Sequence, residues 1–600
     1  MADYHNPQQE PGAEKRLLLV FVLIFVAISI FQPLLKKYGP QPPPEPAQKQ
    51  SVPEPTPPAP SAAAVSAPSA SGLSAKAPAI TVSKQAAAET ETVIENDLYK
   101  ITFTNRGAQV KSWILKKFDN DAQNGPLDLV NAAAAQKYGY PLSLWTYDET
   151  LRNKLSSALY VGPREGHLSA PAEITFEYAG QDLVVRKTFR FDHTYVLNVE
   201  ASVQFKGGEI FAAPAWPSGF GDEITPAAYA AARIDYHDNA STDRTALVFP
   251  NFVLRLPIKS ISGGATIKGP FEWAGTGDQY FTAIFIPDNT ADAVLVTLRN
   301  SMEIAQKPGF NPVGSSSKDT ANVELLGAAV GSARGTTTER MYVGPKELAV
   351  LDAVPVSTIK NDNADLRGIV DFGWWGILAR PLFLWLKWTH NHIVANWGWA
   401  IVIQTLIITI ALLPLRITQM KSMLKMQRVA PQIKSIQERY KKYSLRDPRK
   451  AAMNEEISGL YKKEGVNPAG GCLPLLIQFP FLIAYYRMLG VALELRHAHW
   501  LWITDLSSAD WVLPILMVLS MVVMQRMTPQ AGMDPAQQKM MTVMMPLMMG
   551  FIFFRLAAGL NLYYTESNLI SIAQQAIMNR TKLGREMREM MEKRARKKEK

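Results

Sequence analysis

The sequence predicts a membrane α-helical bundle of six transmembrane helices joined to a large all-β domain outside the bilayer. Three observations carry this. First, five stretches, 17–35, 397–415, 473–486, 511–524 and 540–577, are almost free of charge. The last holds 38 residues, and Gly559 interrupts it. About 20 residues span the hydrocarbon, so this stretch divides into helices over 540–554 and 560–577. Second, the basic residues are concentrated in short segments between these stretches. Third, residues 183–205 alternate apolar and polar side chains as half-buried strands do.

Each element follows in order. Residues 1–16 form a short N-terminal arm. Lys15-Arg16 precedes the apolar run 17–35, which also describes a secretory signal. The run continues to Leu35 with no small-x-small site after it, so an uncleaved anchor is expected. Residues 36–92 are a linker: twelve prolines fall within 40–78, among Ala, Ser and Gln. Such a stretch cannot bury a core and remains an extended spacer.

Residues 93–358 read as a β domain. Tyr195, Leu197, Val199, Ala201, Val203 and Phe205 alternate with polar neighbours. So do Leu183, Val185, Phe189 and Phe191, with Lys187 out of place on the apolar side. Similar runs occur at 98–103, 174–178, 293–298 and 323–326, and only 346–354 looks helical. The pattern implies a β-sandwich. It shows no carboxylate pair or nucleophile–base set, and Asp182 and His193 read as surface residues. Residues 365–390, with Trp374, Trp375, Trp385 and Trp388, suit an amphipathic helix lying in the outer membrane interface.

Charge sets the orientation. Segment 416–466 carries thirteen Lys/Arg and five Asp/Glu, and the tail 580–600 carries ten and four. Short basic loops remain cytoplasmic. Six spans then put both termini in the cytoplasm and the β domain in the periplasm of a bacterial inner membrane. Segment 416–466 repeats Lys421, Lys425 and Arg428 at helical spacing and breaks at 444–448, which predicts a basic helical hairpin near anionic lipid. The tail suits a phosphate-rich surface such as ribosomal RNA. One cysteine excludes a disulfide framework or a Cys-based metal cluster, and eight scattered His form no metal constellation.

Residues 461–489 read YKKEGVNPAGGCLPLLIQFPFLIAYYRML. PLRITQMKSMLKMQRVAPQIKSIQERYKK precedes them and GLNLYYTESNLISIAQQ follows. In that order these blocks resemble the YidC-type membrane protein insertases, as do FTNRGAQVKSW, WAGTGDQYFTAIFIP and YVGPKEL in the β domain. The resemblance implies a Gram-negative layout: an anchor, a linker, a periplasmic β-supersandwich and an insertase core of five helices over 397–579. It implies an insertase and chaperone, not an enzyme, with no cofactor, metal or small-molecule substrate. Its partners would be nascent membrane proteins, the ribosome, anionic lipids and the Sec translocon, beside which or alone it would act. The family's core holds a hydrophilic groove open to cytoplasm and lipid.

The residues suit such a groove. Asn561, Tyr564, Thr565, Asn568 and Gln575 lie within about 100° on a helix. Thr405, Thr409 and Arg416 share a face, and Gln478 adds an amide. Polar residues within a membrane face a bundle interior or a wet cavity; single Asn or Thr residues also serve as helix–helix hydrogen bonds. Leu482, Met517, Tyr563 and Tyr564 would form an apolar slide towards lipid. Thr409 stands where the family commonly carries an arginine, which shifts anion capture to Arg416. Glu566 points about 140° from Asn561, away from the stripe. A secondary transporter is the competing reading, but it should show an internal repeat and broken helices. A membrane-anchored carbohydrate enzyme would need a catalytic carboxylate pair.

Overall fold

The computed structural model describes residues 83–221, 232–238, 253–256, 261–305, 320–356, 365–440, 448–465, 473–527 and 540–581, except 165 and 374, together with Tyr443, Arg585 and Glu589. The expected anchor 17–35, most of the linker and most of the basic tail lie outside the described residues.

Nineteen strands form three sheets among the described residues. The largest runs in spatial order Val253–Leu256, Arg233–Asp238, Phe271–Gly277, Phe281–Pro287, Thr337–Pro345, Val196–Phe205, Leu183–Phe191 and Ala172–Ala179, with Gly208–Glu209 paired beside Val196–Phe205. A second sheet contains Ala265–Lys268, Ala293–Ala305, Thr320–Ser332, Ala213–Trp216 and Ser143–Trp145. The third holds Pro126–Asp128, Gln109–Asp119, Tyr99–Thr104, Glu91–Glu95 and His167–Ser169. Leu183–Phe191 and Val196–Phe205 are a hairpin with Leu183 opposite Phe205. The alternating apolar residues of that hairpin point into the core. Phe103 of the third sheet packs against Phe176 and Phe189 of the first, at 5.9 and 5.0 Å. Trp113 meets Trp216 of the second at 5.8 Å. Each such side chain contributes roughly 1.5–3 kcal/mol on burial.

Two ionisable residues interrupt this core. Lys187 is fully buried, and its ammonium donates to the carbonyls of Gly107 (3.1 Å), Ala108 (2.5 Å) and Leu142 (2.6 Å). Those three residues have φ of +69°, +46° and +62°, which turns the chain so that the carbonyls converge. Burial pushes Lys187 down to about 7, while the three acceptors favour the charged form. That cradle explains a lysine on the apolar side of a strand. Glu339 faces the core from Thr337–Pro345, and neither carboxyl oxygen meets a hydrogen-bond partner among the described residues. Burial, with Asp288 nearby, pushes this carboxyl well above the usual range.

Three short helices decorate the domain: α1 (Ala132–Tyr138), α2 (Glu149–Ser157) and α3 (Leu348–Asp352). The apolar pattern anticipates only the last. Helices α1 and α2 are set by their caps: Asn131 accepts from the Ala134 amide and Asp148 from the Leu151 amide.

Beyond the β domain the described chain is helical: α4 (Gly376–His392), α5 (Trp397–Ala411), α6 (Leu413–Arg439), α7 (Arg449–Lys463), α8 (Leu473–Val491), α9 (Val512–Met527), α10 (Met545–Phe553) and α11 (Ala558–Arg580). A π-helical turn, Met540–Met544, leads into α10. Helices α6 and α7 pack through Val429 and Ile433 against Ile457, Leu460 and Tyr461. Among the described residues no helix is by itself long and apolar enough to cross a membrane. As helices, the expected runs are interrupted or short. The run 397–415 is divided at Leu412, between α5 and α6. Pro480 and Arg487 fall inside α8. Helix α9 has 16 residues and α10 has 9.

Ionic contacts dock the β domain on the helices. Asp371, just before α4, lies 3.4 Å from Arg255, 3.8 Å from Arg233 and 3.6 Å from Arg487 of α8. Lys387 of α4 bridges Glu347 (2.9 Å) and Glu494 (3.1 Å). Arg496 reaches Asp121 at 2.8 Å, and the Gln279 amide donates to the Gly490 carbonyl at 3.0 Å.

Candidate functional site: the polar interior of the helical bundle

Helix α11 occupies the middle of the bundle and packs against α5, α8 and α9. The outer faces of the bundle, including one of α11 itself, are apolar. Ile410, Leu519, Leu547, Phe551 and Leu569 are each more than half exposed. An apolar belt of this extent marks a membrane or partner surface.

Inside, the polar residues fall into two groups on different sides of α11. Towards α5 and α8 stand Tyr563, Glu566 and Gln574. The Glu566 carboxyl is within hydrogen-bond reach of Thr405. The Gln574 amide donates to the Thr409 carbonyl at 3.4 Å. Thr405 and Thr409 donate their own hydroxyl protons back along α5, to Ile401 and Thr405, both at 2.7 Å. Tyr563 stacks on Tyr485 of α8 at 4.0 Å with the rings 14° apart. Tyr485 donates to the Gln404 side-chain oxygen, and the Gln404 amide donates to the Leu382 carbonyl of α4 at 3.0 Å. One fully buried glutamine therefore ties α4, α5 and α8 together. Towards α9, the Asn568 amide donates to the Ser520 hydroxyl at 3.0 Å.

The predicted stripe is thus divided. Thr405, Thr409, Asn561, Thr565 and Asn568 are all buried. They do not line one common face: Thr405 meets Glu566, and Asn568 meets Ser520. Asn561 serves the backbone, its amide donating to Phe553 (3.0 Å), Leu556 (3.2 Å) and Ala557 (3.4 Å) at the turn between α10 and α11. Of the slide residues, Leu482, Met517 and Tyr563 are buried, and Tyr564 is partly exposed beside Phe553. Arg416 is partly exposed in the first turn of α6, with no carboxylate in ion-pair range among the described residues. Gln478 belongs to α8, but its side chain lies outside the described residues.

Sequence reasoning missed Gln404, Tyr485, Ser520 and Gln574. Gln404 was visible as an amide within an apolar run. It lies 100° from Thr405, so a search for one stripe passes over it. Glu566 points away from Asn568, as its angle on the helix indicates: it is turned to Thr405 of α5, while Asn568 meets Ser520 of α9. Among the described residues no group of three or more His, Cys, Asp and Glu could hold a metal.

Comparison with known proteins divides the chain where its fold divides. Residues 91–385 match the YidC periplasmic domain, and residues 388–585 match the 60Kd inner membrane protein family. The boundary falls within α4. A membrane protein insertase YidC of Geobacter sulfurreducens is 30% identical over 493 residues, covering 80% of this chain and 85% of the relative. That of Cupriavidus necator is 39% identical over 312 residues, 51% of each chain. In Wolinella succinogenes the identity is 44% over 243 residues, 40% of this chain and 42% of the relative. A periplasmic β domain followed by a helical inner-membrane core, matched along most of its length, places this chain in the YidC family of membrane protein insertases.

Proposed function

We propose that the chain passes apolar segments of nascent membrane proteins from the cytoplasmic side into the bilayer through the interior around α11. The observation that carries this is a set of buried polar side chains, held by partners on α4, α5, α8 and α9, inside an apolar exterior. A charged side chain in the hydrocarbon costs at least about 2.5–3.5 kcal/mol. Helix–helix hydrogen bonds of this kind are worth about 1 kcal/mol each. A client's polar tail, or water that hydrates it, can exchange for them one at a time. In this reading Thr405, Thr409, Gln478, Thr565 and Asn568 line the groove on both sides of α11, Asn561 closes its outer end, and Arg416 stands at its mouth. Leu482, Met517, Tyr563 and Tyr564 form the apolar exit.

The five core crossings are then α5 continued by the first turns of α6, α8, α9, the π turn with α10, and α11. The anchor 17–35 is the sixth, both termini are cytoplasmic, and α4 lies in the outer interface. The basic tail and the α6–α7 hairpin meet the ribosome and anionic lipid, and the chain works alone or beside the Sec translocon. The test is photocrosslinking of a ribosome-bound nascent membrane protein from Gln478 and Tyr564. Crosslinks from both are expected. Crosslinks from Leu519 and Leu547 alone would mean that clients contact only the outer surface, and would overturn the reading.

A further inference from the structure

Arg487 and Glu566 are the ionisable side chains, other than tyrosine, inside the apolar parts of α5, α8, α9, α10 and α11. Arg487 is near the end of α8 and is engaged with Asp371. Glu566 has no such counter-charge: no ion pair to it exists among the described residues. One oxygen, Oε2, is buried and has no hydrogen-bond partner there. The carboxyl approaches Thr405, whose single proton is already given to the Ile401 carbonyl. Thr405 and Glu566 each stand eight residues into their helices, about 12 Å at 1.5 Å per residue. The pair is therefore well inside the bundle.

One aromatic residue, Tyr485, comes within electrostatic range of this carboxyl and approaches Thr405. The stacked Tyr563 lies behind Tyr485. An acceptor without a donor or counter-charge in a low-dielectric interior matches one ligand chemistry. A lysine ammonium or arginine guanidinium would supply the missing hydrogen-bond donor and the opposite charge.

We propose that Glu566, with Thr405 and Tyr485, is a transient binding site for basic side chains of the client's translocated segment. The proposal rests on the groove reading above and deepens it. Each lysine or arginine that enters pairs with the carboxylate rather than facing hydrocarbon alone. The site offsets the cost of basic residues in the transported tail, so that basic tails move as neutral ones do, whereas capture at Arg416 acts on acidic tails.

The test uses full-length protein in proteoliposomes and three single-span clients. Their tails have equal length and carry two lysines, two aspartates or neither. Protease protection measures transport. Wild type is expected to move the basic and neutral tails at similar rates. Glu566→Gln should lower the basic-to-neutral ratio about tenfold or more, Glu566→Asp should restore part of it, and Glu566→Lys should favour acidic tails instead. A basic-to-neutral ratio unchanged in Glu566→Gln overturns the site, whether total transport falls or not. A photocrosslinker at Tyr564 separates the two readings. If the neutral client crosslinks there while the ratio is unchanged, the cation site fails alone. If no client crosslinks there, the groove reading fails and this proposal falls with it.

Discussion

Replacing Asp371 with asparagine should release the β domain from the helices. The carboxylate is shared by guanidiniums at 3.4, 3.6 and 3.8 Å, two from the β domain and one from α8. At an effective dielectric of ~20 each pair is worth about 4–5 kcal/mol before desolvation. Desolvation of the buried ions offsets much of that, and Asp235 still holds Arg233 at 2.8 Å, but removing the carboxylate that Arg255 and Arg487 share leaves buried charge uncompensated, which typically costs about 3–5 kcal/mol. Asparagine preserves the shape and the bond accepted from the Gly373 amide at 2.9 Å, so the loss is electrostatic. The sign with pH follows. Burial raises the Asp371 carboxyl, and Arg255, Arg487 and Arg233 together outweigh burial and hold it well below the usual range. Its contribution is therefore complete above the unfolded value of ~3.9 and is lost only as pH falls through the lower folded value. The assay is hydrogen exchange of full-length protein in detergent, read at 366–371 and 485–491, with a double-mutant cycle against Arg487→Met. Faster exchange at both segments and a coupling above about 1 kcal/mol are expected. Wild-type exchange in Asp371→Asn, or additive single effects, would refute the reasoning.

Glu339→Met should stabilise the β domain at neutral pH. A carboxyl raised by burial binds its proton in the native state, so wild-type stability falls by about 1.36 kcal/mol per pH unit above the unfolded value of ~4.3 until the folded value is passed; thermal melts from pH 4 to 8 should show that slope in wild type and its loss in the variant. Lys187→Met should destabilise the domain by roughly 3 kcal/mol or more, because three buried carbonyls lose their donor at about 1–3 kcal/mol each. Melts extended from pH 6 to 10 should lose the rise in stability between about pH 7 and 10 that a lysine pushed down to about 7 gives. Arg416→Ala should slow insertion of clients with acidic tails and spare those with neutral tails; equal slowing would make Arg416 a structural anchor. Ending the chain at Arg580 should abolish salt-sensitive cosedimentation with ribosomes, and equal binding at low salt would leave anionic lipid as the tail's partner.

Much of the β domain was legible because alternation is a two-residue rule. The predicted runs 183–191 and 195–205 coincide with Leu183–Phe191 and Val196–Phe205 almost to the residue. Helices α1 and α2 were not, since seven and nine residues are too few for an apolar period to emerge. The bundle's polar residues could be found as exceptions in apolar runs, but their partners could not. A helical wheel gives angles within one helix. Whether Asn561 faces a cavity or closes a turn depends on where α10 ends, which no wheel contains. The ion cluster at Asp371 joins residues from 233 to 487, a separation that no local pattern records.

The Asn561 clamp also bears on how this chain is itself assembled. Hydrocarbon forbids unpaired backbone carbonyls, and the end of α10 would expose several. Asn561 supplies donors for Phe553, Leu556 and Ala557 from the first turn of the next helix. The amides of Ala558 and Gly559 complete the corner by donating to the carbonyls of Ser508 and Leu506, just before α9, at 2.7 and 2.9 Å. The carbonyls of the corner are closed within the last two helices and its amides by the segment before α9, so the final hairpin is complete only once that segment has been laid down beside it.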